Sequence, residues 1–416
     1  MSRELNRVVI TGMGAVSPMG KGVDALMDGI RERRCAVKRM ENWGDIKGLR
    51  TQLGAPVPGP REDKTVPRQK RRSMSSMSFF ALDATREALA EAGLTIGEGG
   101  VRADRIGCII GTTLGSAESI NEFFEIVLPT KSVEEAPAML FFKCMTHSAA
   151  MNIAQYYGIK GYVMATASAC ASGLQAIGTG YELLRLGVQD AFICGGAEEL
   201  HASVVGTFDL LFATSTKYND APCKSPRPFD AERDGLVCGE GAGVVLMETL
   251  DSAHARGARI LAEVVGYHTG GSGEHISQSD APTMAACMRE ALAQADIKPS
   301  DVDYVSAHAT ATDQGDKAEA EALAEVFGDA VPVSSLKGYI GHTLGASGAI
   351  ELAATIRMMR DDIIYPGLNL DSVAPDCGGI AHVMETMKRP LDVIVKNSFA
   401  FGGVNTVLVC RKYKGN

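Results

Sequence analysis

One cysteine stands in a setting that could make it a nucleophile. Cys170 lies in the segment ATASACASG, residues 165–173, where small residues surround it and a helical pattern follows at once. A cysteine at a helix N-terminus feels the positive end of the helix dipole, which favours the reactive thiolate. Small neighbours also let a substrate approach closely. This segment alone is equally compatible with a buried cysteine in a tight strand-to-helix turn.

Two histidines stand at comparable junctions. His308 lies in SAHATATDQGD, just after a predicted strand, and His342 lies in KGYIGHTLGASG, just before a predicted helix. Catalytic groups are frequent at such positions, although a lone histidine there is more often only hydrogen-bonded. Lys337, five residues before His342, adds a fixed positive charge. A cysteine and two histidines at such junctions together indicate a nucleophilic catalytic site.

The elements that position these residues alternate between strand and helix. The runs RVVITGMGAV, RIGCIIGTT and DAFICGGAEE predict buried strands, each closed by glycine. The runs ALDATREALAEAG and ASGLQAIGTGYELLRLG have the apolar spacing of helices. This alternation predicts an α/β fold in which helices cover a sheet.

The order of elements repeats, which indicates an internal duplication. The sequence REALA precedes a predicted strand twice, at residues 86–90 and at 289–293. Ala-Ser-Gly opens a predicted helix twice. In a third match, each half has a predicted strand that leads to a pair of glycines. We place the seam near residues 251–260. Two α/β halves would then pack face to face, with the site at their shared centre.

Composition limits the classes of function. The 416 residues are 45% hydrophobic and 22% charged, which predicts a folded protein too long for one simple core. A net charge of −9 argues against nucleic acid as the main partner. We expect no membrane insertion, because the chain has neither a long apolar stretch nor a signal-peptide pattern. The expected location is the cytoplasm, where the ten cysteines would be reduced rather than paired or bound to zinc.

Together these motifs resemble the β-ketoacyl-acyl-carrier-protein synthases of the elongating type, in the thiolase-like superfamily. The resemblance covers nearly the whole chain and extends to GGAEE at 195–199, PRPFDAERDGLVCGEGAGVV at 226–245 and NSFAFGGVN at 397–405. It implies a thiolase-like five-layer αβαβα sandwich from a duplicated half. Residues 1–255 would form the half with the nucleophile, and residues 256–416 the half with the catalytic histidines.

The resemblance also implies roles in a decarboxylative Claisen condensation. Cys170 would carry the acyl chain as a thioester, and the backbone N–H groups of Cys170 and Phe401 would form the oxyanion hole. His308 and His342 would stabilise the enolate formed from a malonyl thioester, with Lys337 orienting them. Further contacts are implied for Thr310 and Thr312 at the phosphopantetheine arm, for Phe399, Ala400 and Phe401 at an acyl gate, and for Glu351 in support of the histidines.

The implied partner is acyl carrier protein, whose phosphopantetheine carries the substrates, so no metal or redox cofactor is expected. The segment at residues 64–72, KTVPRQKRR, is locally basic. By charge alone it predicts a solvated loop. Because carrier proteins are acidic, it also predicts a docking site formed by Arg68, Lys70, Arg71 and Arg72, with Lys131 as a further candidate. A homodimer, or a heterodimer with a chain-length-factor-like homologue, is expected.

Three departures from the family pattern bear on the acyl substrate. Ala309 follows His308 where the family has glycine, Ala400 separates Phe399 from Phe401 where it usually has glycine, and Gly338 follows Lys337. Together with FDLLFATSTKYND at 208–220, the HATAT segment resembles synthases of bacterial aryl polyene pathways, which extend conjugated chains from an aromatic starter.

Three alternatives stay open at this point. The first is a housekeeping synthase of fatty-acid elongation. The second is a degradative thiolase, although the segment at 397–405 lacks the second cysteine that such an enzyme uses as a base. The third is a non-catalytic partner subunit, against which the presence of Cys170 argues.

Overall fold

Strands and helices alternate along the chain, as the sequence pattern predicts. A computed structural model describes residues 5–273, 275–278 and 280–415. Its strands are β1 (Val8–Ser17), β2 (Gly20–Lys21), β3 (Lys38–Arg39), β4 (Leu53–Gly54), β5 (Ile106–Gly111), β6 (Val163–Met164), β7 (Ala191–Glu198), β8 (Gly241–Thr249), β9 (Ala262–Gly271), β10 (Tyr304–Ser306), β11 (Pro332–Ser334), β12 (Ile363–Ile364), β13 (Ala381–His382), β14 (Met387–Lys388), β15 (Val393–Ala400) and β16 (Val404–Arg411). Its α-helices are α1 (Val23–Arg31), α2 (Arg68–Arg71), α3 (Ser76–Ala92), α4 (Ala117–Thr130), α5 (Leu140–Cys144), α6 (Ser148–Tyr157), α7 (Ser172–Arg185), α8 (Ala202–Leu210), α9 (Leu250–Ala255), α10 (Ala281–Gln294), α11 (Asp313–Phe327), α12 (Lys337–Ile340) and α13 (Ser347–Asp361).

The sheet topology shows the duplication directly. The first half has the strand order β6-β5-β7-β8-β1, and the second half has the order β11-β10-β15-β16-β9. In each half the first three strands run parallel to one another, and the last two pairings are antiparallel. Each of these five strands therefore has a counterpart at the same position in the other half, and β2 beside β1 and β13 beside β11 extend the sheet further.

The layers form the predicted five-layer αβαβα sandwich. α7 and α13 pack on each other and contact strands of both halves, so they form the central layer. α3 and α6 cover the outer face of the first sheet, whereas α10, flanked by α11, covers the second. The two sheets also join at one edge, where residues 8–10 of β1 pair with residues 262–264 of β9. The sequence pattern did not predict this hydrogen-bonded join.

The central layer brings the ends of the two duplicated helices together. α7 follows β6 and carries Cys170 just before its start, and α13 follows β11 and has His342 a few residues before its start. Apolar side chains from both helices, among them Leu174, Ile177 and Ile350, are fully buried in the largest hydrophobic cluster. Their burial, at about 1.5–3 kcal/mol for each large side chain, fixes the two helix starts relative to each other.

The predicted seam near residues 251–260 spans the end of α9 and the connection to β9. The exact division of the chain between residues 255 and 256 stays a prediction. Among the described residues, no helix combines the length and the apolar character that crossing a membrane requires.

Candidate active site

The turn that carries Cys170 is held in place by its neighbours. Cys170 lies in a 3-10 turn, Ala169–Ala171, directly before α7 and is 4% exposed. Oγ of Ser172 accepts the backbone N–H of Ser168, the residue before the turn, at 2.9 Å. Oγ of Ser398 on β15 donates to the carbonyl oxygen of Cys170 at 3.0 Å. Ala169 has a φ of 48°, a left-handed conformation that costs alanine about 1–2 kcal/mol. The surrounding fold therefore imposes this turn on the chain.

Cys170, His308 and His342 meet in space although the sequence separates them widely. Sγ of the cysteine and one ring nitrogen of each histidine all lie within 4.8 Å of one another. The two imidazole centroids are 5.1 Å apart, with the rings near perpendicular at 84°. Nδ1 of His308 and both ring nitrogens of His342 are buried and have no hydrogen-bond partner among the described residues. No described group of the protein therefore competes for these nitrogens.

Burial keeps the three side chains uncharged. It raises the pKa of the Cys170 thiol to about 12, and the Lys337 ammonium opposes only part of that shift. Burial also lowers the pKa of His308 and His342 well below the ordinary value, and the charge of Lys337 lowers both further. Burial thus opposes the thiolate that a helix start was expected to favour. The resting cluster consists of a thiol and two neutral imidazoles.

The same three donors are ligands that zinc accepts. One cysteine sulfur and two histidine nitrogens within 4.8 Å of one another are close enough to share an ion. A thiol with a raised pKa must lose its proton before it can bind a metal, which disfavours binding. That no metal binds here stays a prediction.

Lys337 and Glu351 form a buried ion pair beside the histidines. Nζ of Lys337 lies 2.7 Å from Oε1 of Glu351, which also accepts a hydrogen bond from Oγ of Ser347. Nζ of Lys396 lies 2.6 Å from the other carboxylate oxygen. The side chains of all three charged residues are 0% exposed. Burial alone would raise the pKa of Glu351, but the two ammonium groups lower it to about 2.

Two buried carboxylates of α11 shape the loop that carries His308. Glu319 accepts the N–H groups of His308 and Ala309 at 2.8 and 2.6 Å. Asp316 accepts the N–H of Thr310 and of the next residue at 2.9 and 3.0 Å. Four successive backbone N–H groups are thereby fixed, so the loop presents the His308 side chain in one direction.

A cavity of about 60 Å³ connects the cluster to the predicted gate. All the predicted substrate contacts except Glu351 line it, namely Thr310, Thr312, Phe399, Ala400 and Phe401. The ring of Phe401 stacks on Phe208, with centroids 5.9 Å apart and an interplanar angle of 30°. Two glycines with positive φ, 91° and 74°, follow Phe401 in the turn between β15 and β16. Lys337 and Glu351 lie outside the lining, so they act on the cluster through their charges rather than by contact with a molecule in the cavity.

Two family models match the chain. The model described as "Beta-ketoacyl synthase, N-terminal domain" matches residues 5–253, and "Beta-ketoacyl synthase, C-terminal domain" matches residues 261–371. The chain belongs to the beta-ketoacyl synthase family. The predicted acyl-condensing chemistry is thereby confirmed over the alternative of a degradative thiolase.

Known relatives of the synthase support the same assignment. It is 35% identical over 413 residues to 3-oxoacyl-[acyl-carrier-protein] synthase 1 of Haemophilus influenzae, covering 99% of this chain and 100% of that protein. A beta-ketoacyl synthase from Burkholderia phymatum STM815 is 43% identical with a TM-score of 0.95, covering 98% and 100%. The ishigamide ketosynthase/chain length factor is 29% identical with a TM-score of 0.90, also covering 98% and 100%. The predicted thiolase-like fold class is confirmed.

The predicted docking residues of the synthase lie apart from the Cys170 cavity. Arg68, Arg71 and Arg72 line a separate groove that shares no residue with that cavity. Lys70 donates to a main-chain carbonyl of α6 at 2.8 Å, and Arg71 lies 3.1 Å from a glutamate carboxylate. Arg68 and Arg72 are exposed, as is Lys131 at the end of α4.

Sequence reasoning missed three residues that the synthase places at the site. Lys396 is the one charged residue in the otherwise uncharged run VIVKNSFAF. A single charge in a predicted buried strand could have marked it as a candidate site residue. Glu319 sits in a helix rich in regularly spaced acidic residues, where nothing distinguishes a buried carboxylate from an exposed one. Phe208 reaches Phe401 from α8, and only the tertiary fold brings the two rings together.

Proposed function

We propose that the chain elongates acyl groups carried on an acyl carrier protein, with Cys170 as nucleophile. The observation that carries this proposal is the meeting of Cys170, His308 and His342 in one buried cavity. In the first half-reaction, Cys170 sulfur attacks the acyl thioester and the carrier thiol departs with the cysteine proton. The oxyanion of the tetrahedral intermediate would accept hydrogen bonds from the backbone N–H groups of Cys170 and Phe401.

The second half-reaction uses the two neutral imidazoles. A malonyl thioester would place its carbonyl oxygen between the ring N–H groups that His308 and His342 present to the cavity they both line. Loss of carbon dioxide leaves an enolate whose negative charge these donors stabilise. Its carbon attacks the acyl-Cys170 carbonyl and expels the thiolate, which then takes up one proton. Lys337, through its charge, favours the enolate and keeps the imidazoles neutral.

The substrates fit a carrier-bound arm rather than a free acid. Oγ1 of Thr310 and Oγ1 of Thr312 lie 3.1 Å apart in the cavity wall, where they could bind the amide groups of phosphopantetheine. The name of the Haemophilus influenzae relative includes the acyl carrier protein. We propose the same partner here, docked on the basic surface of Arg68, Lys70, Arg71 and Arg72, with no further cofactor. The cytoplasmic location stays a prediction.

We also propose that the chain pairs with a second copy of itself. β6 is the edge strand of the first sheet, and Val163 on it is 41% exposed. Phe124 and Leu128 on α4 and Phe141 on α5 are 47%, 55% and 65% exposed, and α6 contacts both α5 and β6. Exposed apolar side chains and an open sheet edge favour association. The molar mass of the purified chain by light scattering tests this. If the molar mass doubles only after co-expression with a chain-length-factor-like homologue, the heterodimer is supported instead. If the chain is a monomer both alone and after co-expression, pairing is contradicted.

A competition experiment tests which acyl chains the enzyme prefers. Ala400 ends β15 without a positive φ, so alanine causes no strain there, and its methyl group narrows the gate beside Phe401. We propose that this restriction suits rigid conjugated chains, as in aryl polyene synthesis. Carrier proteins loaded with a saturated acyl chain or with a polyenoyl chain are mixed with the enzyme and malonyl carrier protein. The elongated products of the two chains are quantified by mass spectrometry. Ala400→Gly should increase the share of saturated product, whereas an unchanged ratio contradicts a role of Ala400 in selectivity.

A further inference from the structure

A second buried lysine lies beside the ion pair of Lys337 and Glu351. The side chain of Lys396 is 0% exposed, and its Nζ lies 2.6 Å from Oε2 of Glu351. The same Nζ donates to the backbone carbonyl oxygens of Ser306 and Ala307 at 3.4 and 3.3 Å. Three oxygens therefore surround this ammonium group, and it ties β15 to β10.

The position of Lys396 links it to the histidines. Ala307 directly precedes His308, so the lysine is bonded to the backbone that leads into the catalytic loop. Asn397, the next residue along β15, donates to Oε1 of Glu319, the same oxygen that accepts the N–H of His308. Two successive residues of β15 therefore support the loop, Lys396 through the backbone that precedes His308 and Asn397 through Glu319.

The charges do not cancel in this cluster. Burial lowers the pKa of Lys396 to about 8, so below that pH two ammonium groups surround one carboxylate. This leaves one net positive charge fully buried, and a buried charge of this kind is costly. Among the described residues, the titratable groups besides the histidines that interact with this cluster are Cys170, Glu319 and Tyr304, and Glu198 interacts with Cys170. Burial raises the pKa of Glu198 to about 7 and also raises the pKa of Glu319, which limits the negative charge that they contribute.

We propose that Lys396 is a positioning residue for the condensation. It holds Glu351 and the His308 loop, and with Lys337 it supplies the net positive charge that keeps His308 and His342 neutral, as hydrogen-bond donors to the enolate. The lowered pKa of each histidine agrees, because the charge of Lys396 contributes to both shifts. This inference rests on the roles proposed above for the two histidines.

Neutral variants of Lys396 should fold. Removing its charge leaves Lys337 paired with Glu351 at 2.7 Å, a neutral buried pair that still has the hydrogen bond from Ser347. Lys396→Met retains the length of the side chain without charge or donors. Lys396→Gln removes the charge but keeps an N–H donor for the carbonyl oxygens. Lys388→Met, at an exposed lysine of β14, is the matched control.

The test combines a pH profile of malonyl carrier protein decarboxylation with ¹³C-histidine NMR titration. In both Lys396 variants the acid limb of the rate profile should move to higher pH by about one unit, because a positive charge near the histidines is lost. The NMR titrations of His308 and His342 should move in the same direction. The control should change neither. Two results would overturn the inference, provided that the wild type is active. In the first, the acid limb and the histidine titrations are the same in both variants as in the wild type. In the second, both variants lose the same fraction of the rate at every pH. If the wild type itself lacks decarboxylation, the proposed function fails, and the NMR titration still tests Lys396.

Discussion

At the scale of single residues, the site is a neutral cluster beside a positive one. Cys170, His308 and His342 are uncharged at rest, whereas Lys337, Glu351 and Lys396 together carry one positive charge. Negative charge develops in the reaction first on an oxyanion and then on an enolate. A fixed positive charge nearby stabilises both, because a buried ammonium group that is already in place needs no reorganisation during the reaction.

The roles of the two histidines can be separated from that of the nucleophile. His308→Ala and His342→Ala should reduce malonyl decarboxylation by about 10²–10⁴-fold. Acylation of Cys170 should fall less, because attack on a thioester does not need the enolate donors. Rates of carbon dioxide release and of acyl transfer, measured on the same preparations, test this. Normal decarboxylation in both variants would rule out the proposed role.

The sequence identified the reacting residues more readily than those that support them. Cys170, His308, His342 and Lys337 stand out because each lies at a junction between elements, where local patterns are visible. Lys396 lies within β15, and its partner Glu351 comes from α13, a helix that packs on that strand. A pairing of this kind is set by tertiary packing, so a local pattern shows the isolated charge but not its partner.

At the scale of elements, the duplicated fold repeats even the strained turn. Ala169, before Cys170, and Leu344, before Gly345, both have a φ of 48°, and each turn opens a central helix. The turns differ in chemistry, since one presents a cysteine and the other a glycine. A Cβ on Gly345 would lie 2.8 Å from Oε2 of Glu198, so this turn has no room for a side chain.

Close contact between the two helix starts should be essential. A Cβ on Gly173 would lie 2.6 Å from the carbonyl oxygen of Gly345 and 3.2 Å from the backbone of Gly196, and none of these atoms belongs to a flexible side chain. Gly173→Ala should therefore lower the free energy of unfolding by about 1–3 kcal/mol. It should also reduce acylation, because the Cys170 turn shifts with the helix start.

Denaturant unfolding and acylation rates measure these two effects. Gly206→Ala is the control, since a Cβ at Gly206 meets nothing within 4 Å in α8. In a helix interior this change should raise stability by up to about 1 kcal/mol. Equal stability of Gly173→Ala and the wild type would show that the helix starts can separate at little cost.

The sequence predicted the elements and their repetition but not the way the halves join. The apolar runs and the repeated helix openings are local features, and the sandwich of two sheets around two helices follows from them. The join between β1 and β9 rests on three residue pairs and has no turn or motif of its own. Only packing of the complete chain determines it.

At the scale of the whole molecule, a basic surface interrupts an acidic protein. The chain has a net charge of −9, yet Arg68 and Arg72 are exposed beside α2. The other two predicted docking residues, Lys70 and Arg71, already bond to neighbouring parts of the fold. Steering of an acidic partner should therefore depend mainly on the first two.

Charge reversal tests this surface. Arg68→Glu with Arg72→Glu should raise the apparent KM for acyl carrier protein and weaken its dependence on salt, because surface charges act mainly on the association rate. Reaction with a small pantetheine thioester should change little. Reversal of Lys298 and Lys388, exposed lysines elsewhere, is the matched control. Equal losses on both substrates would indicate damage to the fold rather than to docking.

Peptide mapping tests most directly whether Cys170 alone carries the acyl chain. The synthase is incubated with an acyl carrier protein substrate, digested without reduction, and all ten cysteines are examined by mass spectrometry. We expect one thioester, on Cys170, and none on Cys223, the exposed cysteine that serves as an internal comparison. An acyl group on another cysteine of a fully active enzyme, with Cys170 unmodified throughout turnover, would contradict it.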